Sequence, residues 1–137
     1  MRPICNRRGT ACEYLLLITR FFRLWVIDTD GTFCFALEEV VDIPNEQFQF
    51  PLSRHLATPD GHVKLGHPSL LGDARAARLG GELTHDEDFG PHGWVLSNKS
   101  GRYGLLRGVE PAHLDAVVDL LVGFDIRVDS NFIQARL

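Results

Sequence analysis

Three features of the sequence predict a single α+β domain, with an antiparallel or mixed sheet, an N-terminal hairpin and one main C-terminal amphipathic helix. An apolar run over residues 14–37 is interrupted by the turn signal Asp30-Gly31. A stripe of Leu and Val at helical spacing follows Glu110-Pro111. No internal repeat or low-complexity stretch divides the 137 residues, 45% of which are hydrophobic and 23% charged, so the chain holds one core and is too apolar to be disordered. No apolar run reaches the roughly 18 residues of a membrane-spanning helix, and no membrane partner is expected.

Residues 1–12 contain Asn6-Arg-Arg-Gly9 without apolar periodicity and read as a loose leader, with the domain proper over 13–137. From 14 to 27 the chain is rich in Leu, Ile, Val, Phe and Trp in a continuous pattern, as in strands buried on both faces, with Arg20 and Arg23 marking bends or surface points. Residues 24–27 and 32–37 flank Asp28-Thr-Asp-Gly31, and Asp30-Gly31 fits a two-residue type I′ hairpin turn. The middle of the chain is rich in Pro and Gly, with short strands expected at 47–50 and 62–65 and a turn or two of helix at 74–79. A second strand pair is expected from 82–84 and 94–97, joined by an acidic loop. Pro111 suits a first helical position, because the proline lacks only an N–H that the helix leaves unpaired. Leu114, Val117, Val118, Leu121 and Val122 form one apolar stripe, Asp115 and Asp119 fall off it, and Gly123 reads as the stop. Residues 124–128 read as a closing strand.

Charge and cysteine content bound the function. Fourteen Lys and Arg against eighteen acids give a net charge of −4, which disfavours a nucleic-acid partner held by phosphate attraction. The imbalance is uneven: residues 1–27 carry five Arg and one acid, leaving nine cations against seventeen acids in 28–137. The basic start does not read as a secretory signal, since Arg20 and Arg23 cut its apolar stretch short. Cys5, Cys12 and Cys34 are odd in number and lack C-x-x-C spacing, so neither a disulfide framework nor structural zinc is indicated, and a cytoplasmic setting is expected. Five of six histidines fall at 55, 62, 67, 85 and 92, but no metal-ligand spacing accompanies them and no metal or cofactor is expected.

The chemistry-bearing candidates are His67-Pro-Ser-Leu-Leu-Gly72, Gly80-Gly-Glu-Leu83 and Asn98-Lys-Ser-Gly-Arg-Tyr-Gly104. In a catalytic reading, His67 carries protons near neutral pH, with Ser69, Glu82 and Tyr103 beside it. Ser100, Gly101 and Arg102 would then hold an anion through a hydroxyl, backbone N–H groups and a guanidinium. In the competing reading the same residues are turn chemistry, with Tyr103 in the core.

The order of these segments, followed by an amphipathic helix, resembles small bacterial domains in polymorphic-toxin or secreted-effector proteins, and a segment of plant calmodulin-binding IQ-motif proteins. The likeness covers roughly residues 62–126. The sequence departs from the common pattern at Pro68, at Arg102 where histidine is frequent, and at Gly104-Leu105 where proline soon follows the tyrosine. Arg102 puts acid–base chemistry at that position in doubt, because a guanidinium keeps its proton. The resemblance implies an effector-like domain, cytoplasmic or delivered by a secretion system, whose site binds an anionic, nucleotide-like or phosphorylated ligand and catalyses group transfer or hydrolysis. The alternative is a non-catalytic ligand-binding or protein-interaction module, such as an immunity or regulatory protein. A third reading, nucleic-acid hydrolysis in a basic groove around Arg75, Arg78, Lys99, Arg102 and Arg107, has the overall charge against it. A catalytic site requires His67, Glu82 and the 100–103 turn to converge in one pocket with their functional groups pointing in; scattered or outward-facing groups favour the module.

Overall fold

The chain is a single α+β domain, and its computed structural model describes residues 4–5, 23–45, 47–51, 57–73 and 75–136. The strands are β1 (Ile4–Cys5), β2 (Arg23–Asp28), β3 (Phe33–Leu37), β4 (Glu39–Asp42), β5 (Gln47–Pro51), β6 (His62–Lys64), β7 (Ala77–His85), β8 (Trp94–Ser97) and β9 (Asp129–Asn131). A 3-10 turn, His67–Leu70, precedes β7, and helix α1, Pro111–Val122, lies between β8 and β9. The main sheet runs β1-β3-β2-β7-β8-β9, antiparallel except for the parallel β8–β9 pair, and a second antiparallel sheet runs β5-β4-β6. Residues 14–22 of the apolar run lie outside the described residues. Within the stretch read as a leader, Ile4–Cys5 pairs with β3 at the sheet edge.

The period-two alternation of β2 divides the main sheet into two packed faces. Trp25 and Ile27 point to one side, where Phe35, Leu79, Leu83 and Leu96 meet Leu114, Val117 and Leu121 of α1. Leu24 and Val26 point to the other, where Cys34 and Ala36 are covered by Leu70 of the 3-10 turn and by Tyr103. With both faces covered, β2 is a buried central strand, which explains its continuous rather than alternating hydrophobicity.

Several local expectations need correction. The β2–β3 hairpin forms, but Gly31 alone has a positive φ, +86°, and Asp30 does not share it. The loop has three residues, closed by Asp28, whose N–H donates to Thr32 O and whose side chain accepts the N–H groups of Asp30 and Thr32 at 2.9 and 2.8 Å. A side chain able to satisfy two N–H groups favours this longer loop over the type I′ turn. Arg23 is neither a bend nor a surface point: it is fully buried in β2, with its guanidinium carbon 4.7 Å from the Trp94 ring centroid. Residues 77–79, expected to be helical, begin β7, because pairing with β2 outweighs a short helical pattern. The closing strand is Asp129–Asn131 rather than 124–128, although Ile126 and Val128 are buried against α1.

Helix α1 matches the expected span. Its N-terminus is closed by a reciprocal capping box, with Glu110 accepting the His113 N–H and His113 Nδ1 accepting the Glu110 N–H at 2.9 Å. Leu114, Val117 and Leu121 are buried, while Val118 is half-buried and Val122 exposed. Gly123 retains right-handed helical geometry at φ −60°, and the left-handed residue that ends the helix is Asp125 at φ +62°.

Candidate functional site

The residues singled out from the sequence separate into two groups, and the larger group is engaged with backbone. Asn98 is fully buried and ties three strands of chain together: its Nδ2 donates to Gly104 O and Ile133 O at 3.0 and 2.9 Å, and its Oδ1 accepts the Ile133 N–H at 2.7 Å. Around it, Ser100 N–H donates to Asn98 O, Ser100 O accepts the N–H groups of Gly104 and Leu105, and Ser100 Oγ accepts the Tyr103 N–H. The Ser100, Tyr103, Gly104 and Leu105 N–H groups and the Ser100 hydroxyl oxygen therefore close the turn itself. Tyr103 is buried, with its hydroxyl donating to Arg75 O at 2.7 Å, and Ser69 Oγ donates to Gly66 O at 2.8 Å. Gly101 and Arg102 are exposed.

The glycines of these segments serve close packing. A Cβ on Gly81 would lie 1.7 Å from Ser97 O, and one on Gly104 would lie 1.9 Å from Asn98 O. Gly81 meets the backbone of Ser97 and Asn98, and Gly104 meets the backbone of Asn98 and of Gly80 in β7, contacts that no side chain can enter.

His67 and Glu82 do share one region. The half-buried His67 ring donates from Nε2 to Gly81 O at 2.7 Å, which leaves Nδ1 as the lone-pair nitrogen. Burial pushes the His67 pKa below its ordinary value, against the opposing effects of that hydrogen bond and of the Glu82 carboxylate. Glu82 Oε2 lies 3.5 Å from Lys99 Nζ, and Lys64 Nζ lies 3.9 Å from Glu38 Oε2. Burial raises the Glu38 pKa, the Lys64 charge lowers it, Glu82 raises it and Lys99 lowers it. The cluster is charge-balanced: each carboxylate has its ammonium, and the lysines bind their own glutamates.

A different concavity lies on the helix side of the main sheet. It has a volume of about 590 Å³ between the β2–β3 hairpin, the start of β7, the loop before α1 and the face of α1 from His113 to Leu120. Its walls are Ile27, Leu79, Val109, Ala116, Val117 and Leu120. Its polar lining includes Arg78, Arg107 and His113, and no lining residue is acidic.

Arg78 reaches this groove through a β-bulge. Ile27 pairs with Leu79 and Asp28 with Ala77, so Arg78 is the extra residue on β7. Its Nε and Nη2 donate to Thr29 O at 3.0 and 2.7 Å, fixing the guanidinium beside the hairpin loop. Asp28, at the foot of the same hairpin loop, accepts the N–H groups of Asp30 and Thr32. Of the five cations considered for a basic groove, Arg78 and Arg107 line this one, whereas Lys99 pairs with Glu82. Sequence reasoning missed His113, Ala116 and Leu120, a second helical stripe beside the core stripe whose spacing is visible in the sequence.

No protein-family model matches the chain, and no curated protein or solved structure matches it. Among the described residues no group of three His, Cys, Asp or Glu could hold a metal ion, and no helix is long and apolar enough to cross a membrane.

Proposed function

We propose that the domain is a non-catalytic ligand-binding module and that it takes a small anionic ligand in the helix-side groove. The observation that carries this reading is that Arg78 and Arg107 both line one mostly apolar concavity that has no acidic lining residue. Apolar walls with a few convergent polar groups are the usual form of a small-molecule site, and guanidinium groups suit carboxylate or phosphate. The engagement of Ser69, Ser100 and Tyr103 with backbone weighs against the catalytic reading.

A second reading keeps an acid–base role for His67. Its Nδ1 lone pair, its lowered pKa and the nearby Glu82 favour it, and it is the reading that fits an effector acting by group transfer or hydrolysis.

The two readings separate in one experiment. Calorimetric titration with inorganic phosphate, with AMP and with hexanoate is run on the wild type, on Arg107→Gln and on the His67→Ala, Glu82→Ala pair, alongside growth of bacteria expressing each. The module reading expects Arg107→Gln to weaken anion binding while the pair leaves it unchanged, with no growth inhibition by any form. Growth inhibition that disappears with the His67→Ala, Glu82→Ala pair would overturn it in favour of an effector enzyme.

A further inference from the structure

We propose that the ligand of the helix-side groove is an amphipathic monoanion: a carboxylate on an aliphatic body about 10 Å long, its head at Arg107 and Arg78 and its tail over Ala116 and Leu120. This inference rests on the binding-module reading and names the chemical class of its ligand.

The lining carries the argument. A groove of about 590 Å³ is in the range of small-molecule sites, and most of the groups facing it are apolar. Leu106 and Leu120 on its lining are 47% and 36% exposed, so the groove presents apolar surface that an aliphatic body would cover. Arg107 and His113 belong to the end of the groove where α1 begins, and His113 uses its Nδ1 lone pair on the Glu110 N–H. Leu120 lies seven residues beyond His113, about 10 Å along the helix axis at about 1.5 Å per residue.

The head group follows from the guanidinium donors. Arg78 already directs Nε and Nη2 at Thr29 O, so its Nη1–Nη2 edge remains for an incoming anion, and Arg107 adds a second guanidinium to the lining. One such edge matches the two oxygens of a carboxylate. The phosphates of a nucleotide are ordinarily held by a run of converging backbone N–H groups. The 100–105 turn is not on the lining of this groove, and it uses its Ser100, Tyr103, Gly104 and Leu105 N–H groups internally.

The test is a ¹H–¹⁵N NMR titration of the full chain with octanoate, acetate, inorganic phosphate and 1-octanol, repeated on Arg107→Gln and Leu120→Asp. Leu120 is partly exposed, so its substitution leaves the core intact, and the spectrum of each free variant reports its fold. Octanoate is expected to shift the amides of Gly31, Gly108, His113 and Leu120. A buried methylene strengthens binding by about three- to fourfold, so acetate should bind at least about a hundredfold more weakly. Arg107→Gln should weaken octanoate about tenfold, and Leu120→Asp should abolish its binding. Acetate or phosphate binding as tightly as octanoate at the same amides would overturn the amphipathic class and leave the anion reading standing. Octanol matching octanoate, or no anion shifting these amides, would overturn the anion reading itself.

Discussion

Replacing Asn98 by Ala should destabilise the domain by about 3 kcal/mol. The side chain is fully buried and makes three hydrogen bonds, to Gly104 O, to Ile133 O and from Ile133 N–H. Alanine removes all three and leaves two carbonyls and one N–H to find other partners. Each lost bond costs about 1 kcal/mol net, more where the orphaned group stays dry. Gly104 is buried while Ile133 is half-exposed, so water can reach the Ile133 side more readily than the Gly104 side. For a domain of this size the loss corresponds to a fall in Tm of roughly 10 °C. Urea unfolding followed by tryptophan fluorescence reads it directly, since Trp25 is fully buried and Trp94 half-buried. Asn98→Asp sharpens the test, because a carboxylate there would face two carbonyl oxygens without the donors they need, and its loss should exceed that of alanine. A loss below about 1 kcal/mol for Asn98→Ala, or a milder effect of Asn98→Asp, would show that this residue does not hold the loop to the C-terminal segment.

Gly81→Ala should cost more than about 3 kcal/mol or prevent folding, since its Cβ would meet backbone atoms of Ser97, whereas Gly101→Ala, with open space around it, should unfold at nearly the wild-type urea concentration. Leu121→Ala should cost about 2–5 kcal/mol in the same assay, and a loss below about 1 kcal/mol would show that this helix face is not core. Because burial lowers the folded-state pKa of His67 below 6.5, the unfolded chain binds a proton there that the folded chain refuses; stability should fall as pH drops below about 6.5 and level off below the folded pKa. His67→Gln, which keeps a donor for Gly81 O, should remove that slope, and an unchanged slope would contradict it. Glu38 acts with the opposite sign: its raised pKa gives a contribution present below 4.5 and lost as pH rises through the folded value, so Glu38→Gln should gain on the wild type at higher pH.

Elements governed by local pattern were legible in the sequence. The α1 stripe and its proline start define Pro111–Val122, and the apolar pairs around Gly31 give β2 and β3. The type of the hairpin turn was misread because Asp28 satisfies two N–H groups with its side chain, an effect that the Asp-Gly dipeptide does not express. Burial of Arg23 depends on Trp94, seventy-one residues away, and the start of β7 depends on pairing with β2 rather than on its own weak helical pattern. The same distinction governs the site. The glycines and hydroxyls of 98–104 stood out because their backbone geometry is demanding, and packing against β7 and β8 accounts for that demand. The groove was hidden because it joins Arg78, displaced by a bulge, to Arg107 and to a secondary stripe of α1, and no short stretch of sequence contains all three.

The most direct test of the groove assignment is a set of intermolecular nuclear Overhauser contacts between bound octanoate and the isotope-labelled chain. Contacts are expected from the octanoate tail to the side chains of Ala116 and Leu120, and from the methylene next to the carboxylate to Arg107. Contacts around His67 and Glu82, with none to Ala116 or Leu120, would contradict the groove assignment.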